Sequence, residues 1–297
     1  TDAGIATDAT YAEMLTAFNN LLATEGAPIT IYATRTEVSA RSGLLADYPG
    51  AAAAYSLRLL DSDYTGSAIR VRRASDNAEQ DIGFDANGDL DTSSLATFCS
   101  GTDGFVKVWY CQSGNGNDAE QTSTTLQPKI YDSSTGVILD EDNNLPAALF
   151  AGDYLNSGTV SATGTATNFA VANISGGSSN RVLFYTPEVL NLFNGTNWRF
   201  ITISSQINYD SSSFGALGLH YWGANATQGF GALNGGSVTT NAQGAGSGTK
   251  IAIGTQSTNA IPFYGYIQEC IYYAADKTSN RTGIETNIND HYSIYTP

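Results

Sequence analysis

The chain has 297 residues, of which 41% are hydrophobic, enough to bury one large core; this length fits one main domain with a short appendage. Its formal net charge of −15 argues against nucleic acid or an anionic membrane as a partner, because phosphate binding requires a basic surface. The sequence contains neither an apolar run of transmembrane length nor a basic-then-apolar signal segment. With 31 Gly, 17 Tyr and only 14% charged residues, the composition is typical of extracellular or virion β-proteins.

The first 26 residues contain one helical pattern. Apolar side chains recur there at spacings of three and four, Thr7 or Asp8 can cap the helix, and Gly26 can end it. A single short amphipathic helix cannot bury its own apolar face, so it must dock on another surface. We therefore predict an attachment or oligomerisation arm over residues 1–42 and a main domain over residues 43–297. The alternative is that the arm is a packed extension of the domain.

Alternating apolar and polar residues between 53 and 121 predict short antiparallel strands joined by Gly, Asp and Asn turns. Further on, Ile284, Ile288 and Tyr292 form a helical stripe that predicts a closing helix near the end of the chain. Segments 157–167 and 234–249 are so rich in Gly, Ser and Thr that they predict surface loops or meanders. Between these landmarks we predict strands at about 128–131, 136–139, 146–150, 167–174, 181–186, 198–207, 214–222, 229–233, 250–254 and 262–273.

Four sequence blocks resemble a known family: AYSLR, VRRASDNAEQDIGF, LDTSSLATFC and WYCQSGNGNDAEQ. They are similar to the N-terminal half of the catalytic domain of fungal α-L-arabinofuranosidase B, and to concanavalin-like modules of marine bacteriophage structural proteins. The last strand, turn and helix resemble the end of many concanavalin-like lectin domains. The resemblance implies an all-β, concanavalin A-like (jelly-roll) two-sheet β-sandwich, with a short N-terminal helix and a C-terminal helix.

The resemblance also implies where catalytic carboxylates would stand. Retaining arabinofuranosidases need a carboxylate nucleophile and a carboxylic acid. The acid position falls on Thr255, Gln256 or Ser257, none of which can protonate a leaving oxygen. The nucleophile would fall near Glu188, but the neighbouring residues do not reproduce the family pattern. We therefore predict no catalytic residue and no enzymatic activity, with the missing acid near Gln256.

The predicted function is a non-catalytic virion structural or adhesion module, as in capsid decoration, a tail or a fibre, located on the virion surface. Its predicted partners are other virion proteins or further copies of the chain through residues 1–42, and host surface glycans. One alternative is an extracellular carbohydrate-binding lectin. The other is an arabinofuranosidase-like glycoside hydrolase.

Sugar binding has a candidate segment between residues 198 and 230. Aromatic faces stack on sugar C–H surfaces and amides bind hydroxyls. Aromatic residues in strands are also the usual material of a core, which is the alternative. The predicted carbohydrate-binding residues are Trp198, Tyr209, His220, Tyr221, Trp222, Asn225 and Gln228.

The candidate metal site and the cysteines each leave two interpretations open. Asp85, Asn87, Asp89 and Asp91 place side-chain oxygens at alternate positions, as a calcium loop does, but the terminal bidentate Glu is missing and a simple turn uses the same residues. Calcium is the only cofactor that the sequence suggests. The phage modules usually carry Asp at the position of Cys111 and an aliphatic residue at that of Cys270, which suggests a Cys111–Cys270 disulfide. The alternative is that Cys99, Cys111 and Cys270 are three buried thiols.

Overall fold

A computed structural model describes residues 42–175, 180–201, 206–210, 216–242, 246, 248–255 and 261–296. Within β14, defined below, side chains are described only at Asn208. The predicted arm, residues 1–42, lies outside the described residues except for Ser42. Its helix, its boundary and its attachment role therefore stay predictions.

Antiparallel strands are the main secondary structure of the described residues, as the alternating pattern predicts. The first ten are β1 Ala53–Ser56, β2 Ile69–Arg73, β3 Glu79–Ile82, β4 Gly104–Trp109, β5 Ala119–Glu120, β6 Lys129–Asp132, β7 Gly136–Val137, β8 Ala148–Ala151, β9 Leu155–Thr159 and β10 Ala166–Ile174. The others are β11 Arg181–Tyr185, β12 Leu190–Phe193, β13 Trp198–Ile201, β14 Gln206–Asp210, β15 Leu217–Ala224, β16 Gly229–Leu233, β17 Thr239–Asn241, β18 Lys250–Ile253 and β19 Tyr264–Tyr273.

Three α-helices accompany these strands in the described residues: α1 Leu44–Asp47, α2 Thr92–Phe98 and α3 Arg281–Tyr292. A 3-10 turn, Thr278–Asn280, leads into α3. Ile284, Ile288 and Tyr292 of α3 are all buried against a cluster that includes Phe169 and Tyr221. The predicted closing helix is thus confirmed, and its apolar stripe faces the domain. None of the described helices is long and apolar enough to cross a membrane.

The strand ladder branches at β4, which pairs with β2, β5 and β6. One branch continues through β6, β8, β19, β10, β15, β16 and β17. The other runs through β5, β9, β18, β11, β12, β13 and β14. These pairings are all antiparallel, and a shared core containing Trp109, Trp198 and Trp222 lies between the branches. The predicted β-sandwich with a C-terminal helix is confirmed.

Two predicted loop segments contain strands. Strand β9 begins at Leu155 and enters the Gly/Ser/Thr-rich segment, and β17 lies within the second such segment. Leu155 and Ser157 of β9 are buried, whereas Gly158 and Thr159 are exposed. Ladder hydrogen bonds depend on the backbone, so weak side-chain signals do not prevent a strand from forming.

Asp91 caps α2, and its substitution gives a first testable prediction. The Asp91 carboxylate accepts a hydrogen bond from the Ser94 backbone N–H at 3.0 Å. Together with the hydroxyls of Ser93 and Ser94, this lowers the pKa of Asp91 to about 2. Because the folded pKa lies below the unfolded one, Asp91 stabilises the protein fully above about pH 4 and loses this effect as the pH falls towards 2. Asp91→Asn should preserve the cap without titrating, so its melting temperature should fall less than that of the wild type between pH 5 and pH 2.5.

Circular dichroism melts across that pH range make the comparison, with Asp91→Ala as the matched variant that loses the cap at every pH. If wild type and Asp91→Asn lose stability in parallel, Asp91 is not a titrating cap.

Candidate active site

Four of the residues predicted to bind sugar lie in the core: Trp198, His220, Tyr221 and Trp222. Trp198, His220 and Tyr221 are each 1% exposed and Trp222 is fully buried. Every residue of β15 is buried, so neither face of this strand presents side chains to solvent. The His220 ring lies 4.1 Å from that of Trp198, and burial lowers the pKa of His220 to about 3. These rings therefore do not form the exposed sugar-binding surface that the sequence predicts.

Asn225 and Gln228, two of the remaining members of the set, lie in the turn between β15 and β16. The Asn225 carboxamide oxygen accepts from the backbone N–H groups of Thr227 and Gln228, which makes this segment a local turn. Tyr209 belongs to β14, and its side chain is outside the described residues.

The acidic segment between β3 and α2 has the hydrogen bonding of a turn. The Asp85 carboxylate accepts from the backbone N–H groups of Asn87 and Asp89, and Asp91 caps α2. Asp89 lies 3.7 Å from His291. In the part of the chain that the structure describes, no three His, Cys, Asp or Glu side chains are grouped to hold a metal ion. The turn alternative accounts for these hydrogen bonds.

The cysteines are three free, buried thiols, and the suggested Cys111–Cys270 disulfide is not formed. The Cys111 sulfur accepts a hydrogen bond from the Ala54 backbone N–H at 3.4 Å. Cys270 lies on β19 opposite Tyr55 of β1, and burial raises its pKa. The presence of cysteine at positions 111 and 270, where related sequences usually carry other residues, therefore did not indicate a disulfide.

Glu188, the sequence-based position for a nucleophile, is also buried, at 2% exposure. Its carboxylate accepts from the Thr163 backbone N–H and from the Tyr272 hydroxyl, both at 2.8 Å, and burial raises its pKa. These contacts hold the Glu188 carboxylate inside the domain. Thr255 is fully buried, whereas Gln256 and Ser257 lie outside the described residues.

An open polar cleft of about 400 Å³ lies where β5 meets β9. Its volume is in the range of small-ligand sites. Almost all of its lining consists of carboxylate, carboxamide and hydroxyl side chains, the groups that bind sugar hydroxyls. The lining residues are Asp118, Glu120, Gln121, Thr122, Tyr154, Asn156, Ser157 and Gly158.

Strand alternation brings two carboxylates into this cleft. Ala119 is buried in the core, so Asp118 and Glu120 on either side of it point the opposite way, towards the cleft. The Asp118 carboxylate accepts a hydrogen bond from the Cys111 backbone N–H at 2.8 Å. A hydrogen bond from an amide favours the ionised carboxylate and fixes its position. Glu120 is exposed and lies opposite Asn156 in the β5–β9 ladder.

Two carboxamides line the cleft with different hydrogen bonding. Gln121 is held, because its nitrogen donates to the Tyr154 carbonyl at 3.2 Å and its oxygen accepts from the Ser123 backbone N–H at 2.9 Å. The carboxamide oxygen of Asn156 is buried and has no hydrogen-bond partner. An unpartnered buried acceptor costs stability, so a ligand hydroxyl that donates to it would bind favourably.

The floor beneath Asp118 is rigid. The fully buried Tyr55 donates its hydroxyl hydrogen bond to the Asn117 carbonyl, and burial, with the nearby Cys111 and Asp118, raises its pKa. Ser157 accepts from the Ile251 backbone N–H at 3.2 Å, which ties the cleft to β18. The Asp-Ala-Glu alternation at residues 118–120 is the signal that could have identified the cleft.

Comparisons with known proteins point to arabinofuranosidases. Residues 45–152 match the sequence model of the family described as alpha-L-arabinofuranosidase B, catalytic, and this match includes Asp118 and Glu120. Alpha-L-arabinofuranosidase B of Emericella nidulans is 30% identical over 197 residues, 63% of this chain and 36% of that protein. The Aspergillus niger alpha-L-arabinofuranosidase B is 34% identical over 111 residues, 37% of this chain and 21% of that protein. The chain thus spans about a third or less of the length of these relatives.

Solved structures show the same fold. A GH54 α-L-arabinofuranosidase soaked with a cyclic sulfate inhibitor has a TM-score of 0.61 at 18% identity, covering 82% of this chain and 63% of that chain. An arabinofuranosidase complexed with arabinofuranosyl-alpha-1,2-xylobiose has a TM-score of 0.60 at 18% identity, with the same coverage. These matches confirm the fold of the family that the four sequence blocks resemble.

These similarities correct three predictions. The family, the relatives and the solved structures are arabinofuranosidases, so the predicted virion structural role, the virion surface location and the absence of enzymatic activity are wrong. The likeness to phage structural modules receives no support from them either. The hydrolase alternative agrees with the comparisons better than the main prediction does.

Proposed function

We propose that this chain is a glycoside hydrolase of the arabinofuranosidase B type, which acts on α-L-arabinofuranosyl groups bound in the cleft at β5 and β9. The observation that carries the proposal is the pair of carboxylates, Asp118 and Glu120, on one side of a strand edge in a polar cleft. The family match over residues 45–152 supports the arabinofuranosidase class, whereas the roles of Asp118 and Glu120 rest on the geometry of the cleft.

The spacing of the two carboxylates suits glycoside hydrolysis. Residues two apart in an extended chain are about 6.6 Å apart. A retaining glycosidase requires its two carboxyl groups about 5–5.5 Å apart, and side chains that converge from this backbone spacing would meet that requirement. Asp118, which the Cys111 backbone N–H holds in position, is assigned the role of the nucleophile. Glu120, which is exposed, can exchange protons with solvent and act as the acid and base.

The proposed reaction has two steps. In the first, Glu120 donates its proton to the glycosidic oxygen while the bond from the anomeric carbon to that oxygen breaks, and Asp118 forms an ester with the anomeric carbon. In the second, Glu120 takes a proton from water, the water oxygen attacks the anomeric carbon, and the ester breaks to release arabinose and free Asp118. The unpartnered oxygen of Asn156 accepts from a hydroxyl of the bound sugar.

Two substrates with different leaving groups separate the two roles. The 4-nitrophenolate of 4-nitrophenyl α-L-arabinofuranoside leaves without a proton, whereas a sugar leaving group needs one. Asp118→Asn should lower kcat by a factor on the order of 10²–10⁴ on both the aryl substrate and arabinofuranosyl-xylobiose. Glu120→Gln should lower kcat by a similar factor on arabinofuranosyl-xylobiose and by much less in the first step on the aryl substrate.

Asp290→Asn is the matched control, because Asp290 is an exposed carboxylate on α3, outside the cleft. Initial rates should be measured on variants whose circular dichroism matches the wild type. A wild-type chain without activity on either substrate would overturn the proposal. So would Asp118→Asn and Glu120→Gln variants that keep full activity on arabinofuranosyl-xylobiose.

A further inference from the structure

We infer that Arg181 and Tyr264 form a binding site for the carboxylate of an acidic sugar, outside the cleft described above. The site joins a buried guanidinium that lacks a counter-ion to an aromatic ring that faces solvent. The inference concerns binding alone and does not rest on the proposed hydrolysis.

Arg181 is the first residue of β11 and is only 8% exposed. Among the described residues its side chain has one hydrogen bond, from Nη1 to the Ser175 carbonyl at 3.4 Å, and its Nε has no partner there. No carboxylate among the described residues pairs with it. Other arginines of this chain do have carboxylate partners: Arg58 with Glu269, Arg70 with Asp81, Arg73 with Asp76 and Arg281 with Glu285.

A buried cation without a counter-ion is unfavourable, because burial removes water that the neighbouring groups do not replace. Burial accordingly lowers the pKa of Arg181. An anion that supplies two oxygens to the guanidinium would restore the missing interactions. Carboxylates match the planar guanidinium in this way.

Tyr264 indicates which kind of carboxylate would bind. It is 40% exposed, whereas Trp198, Tyr221 and Trp222, which the sequence predicted to bind sugar, are buried. The Arg181 guanidinium carbon lies 4.6 Å from the centroid of its ring. An exposed aromatic face stacks on the C–H surface of a sugar ring, while the guanidinium beside it binds a carboxylate. A uronic acid carries both groups.

The site adjoins the turn between β8 and β9. Tyr264 pairs with Ala151 at the end of β8, and a Cβ on Gly152 would lie 3.3 Å from the Tyr264 hydroxyl oxygen. Two residues further on, Tyr154 lines the cleft. One short turn therefore contributes to both sites, so a polysaccharide that carries arabinose and uronic acid residues is the kind of ligand that could use them together.

Digalacturonate and its neutral methyl ester are the probes, since they share the sugar rings and differ in charge. Isothermal titration calorimetry should show wild type binding digalacturonate at least tenfold more tightly than the ester. Arg181→Gln should remove this preference and Arg181→Lys should retain part of it. Tyr264→Ala should weaken both probes. Arg70→Gln is the control, because Arg70 is a half-exposed arginine of another strand that already pairs with Asp81.

Equal affinity of wild type for the two probes, or no binding of either, would overturn the inference. A preference that persists in a folded Arg181→Gln variant would also contradict it. Repeating the titration with Glu120→Gln separates this site from the proposed hydrolysis: the preference for digalacturonate should remain when hydrolysis is lost.

Discussion

Replacing Glu269 by alanine is expected to lower the free energy of unfolding by about 3–5 kcal/mol, because it leaves the buried Arg58 without its counter-ion. Glu269 is fully buried on β19, and Arg58 follows β1. Arg58 Nε donates to one carboxylate oxygen at 2.8 Å and Nη2 to the other at 3.2 Å. Ser56 and Tyr292 also donate hydrogen bonds to this carboxylate, so the loss affects β1, β19 and α3 together.

Urea denaturation of Glu269→Ala and of two reference variants measures this effect. Asp81→Ala breaks an ion pair with Arg70 in which both side chains are about 40% exposed, and it should cost at most about 1 kcal/mol. The double variant Arg58→Met/Glu269→Leu removes both charges and should recover much of the lost stability. If Glu269→Ala proves no more destabilising than Asp81→Ala, the buried network does not hold α3 to the sandwich.

Trp222→Ala is expected to destabilise the protein by about 3–5 kcal/mol, because it opens a large cavity in the shared core. The Trp222 side chain is fully buried, and its ring packs edge-on against Phe184 at a centroid distance of 5.9 Å. Phe184 lies on β11, so this contact joins the two branches of the strand ladder. The loss should therefore lower the stability of the whole sandwich.

Thermal and urea unfolding of Trp222→Ala and Tyr264→Ala provide the comparison. Tyr264 is partly exposed, so its truncation should cost less than 1 kcal/mol. A Trp222→Ala variant with wild-type stability and weakened sugar binding would instead contradict the core position of Trp222. That result would support the exposed sugar-binding role that the sequence predicts.

The sandwich could be predicted from the sequence because strand alternation and the helical stripe of α3 are local patterns. A spacing of four residues was enough to assign a buried helix face to Ile284, Ile288 and Tyr292. The ends of the strands were harder to predict from the sequence. The predicted strand 198–207 is two strands, β13 and β14, and β9 runs into a segment rich in Gly, Ser and Thr.

The candidate site could not be predicted because it depends on which surface of each strand is covered. In β15, Tyr221 belongs to the cluster under α3, while Trp222 belongs to the core between the branches, so both are buried. An alternating pattern cannot show that a strand has neighbours on both faces. The cleft brings Glu120 opposite Asn156, and only the β5–β9 pairing reveals this contact. Comparison with related sequences suggested a disulfide between Cys111 and Cys270, whereas both residues are free thiols in the structure.

Covalent trapping of the nucleophile tests the central proposal most directly. An arabinofuranose-configured cyclic sulfate, of the inhibitor class soaked into one of the similar solved structures, should form an ester with the attacking carboxylate. Peptide mapping by mass spectrometry should place the adduct on Asp118, and Asp118→Asn should prevent its formation. An adduct on a carboxylate outside the cleft, such as Glu188, or no adduct at all, would contradict the assignment of the cleft as the active site.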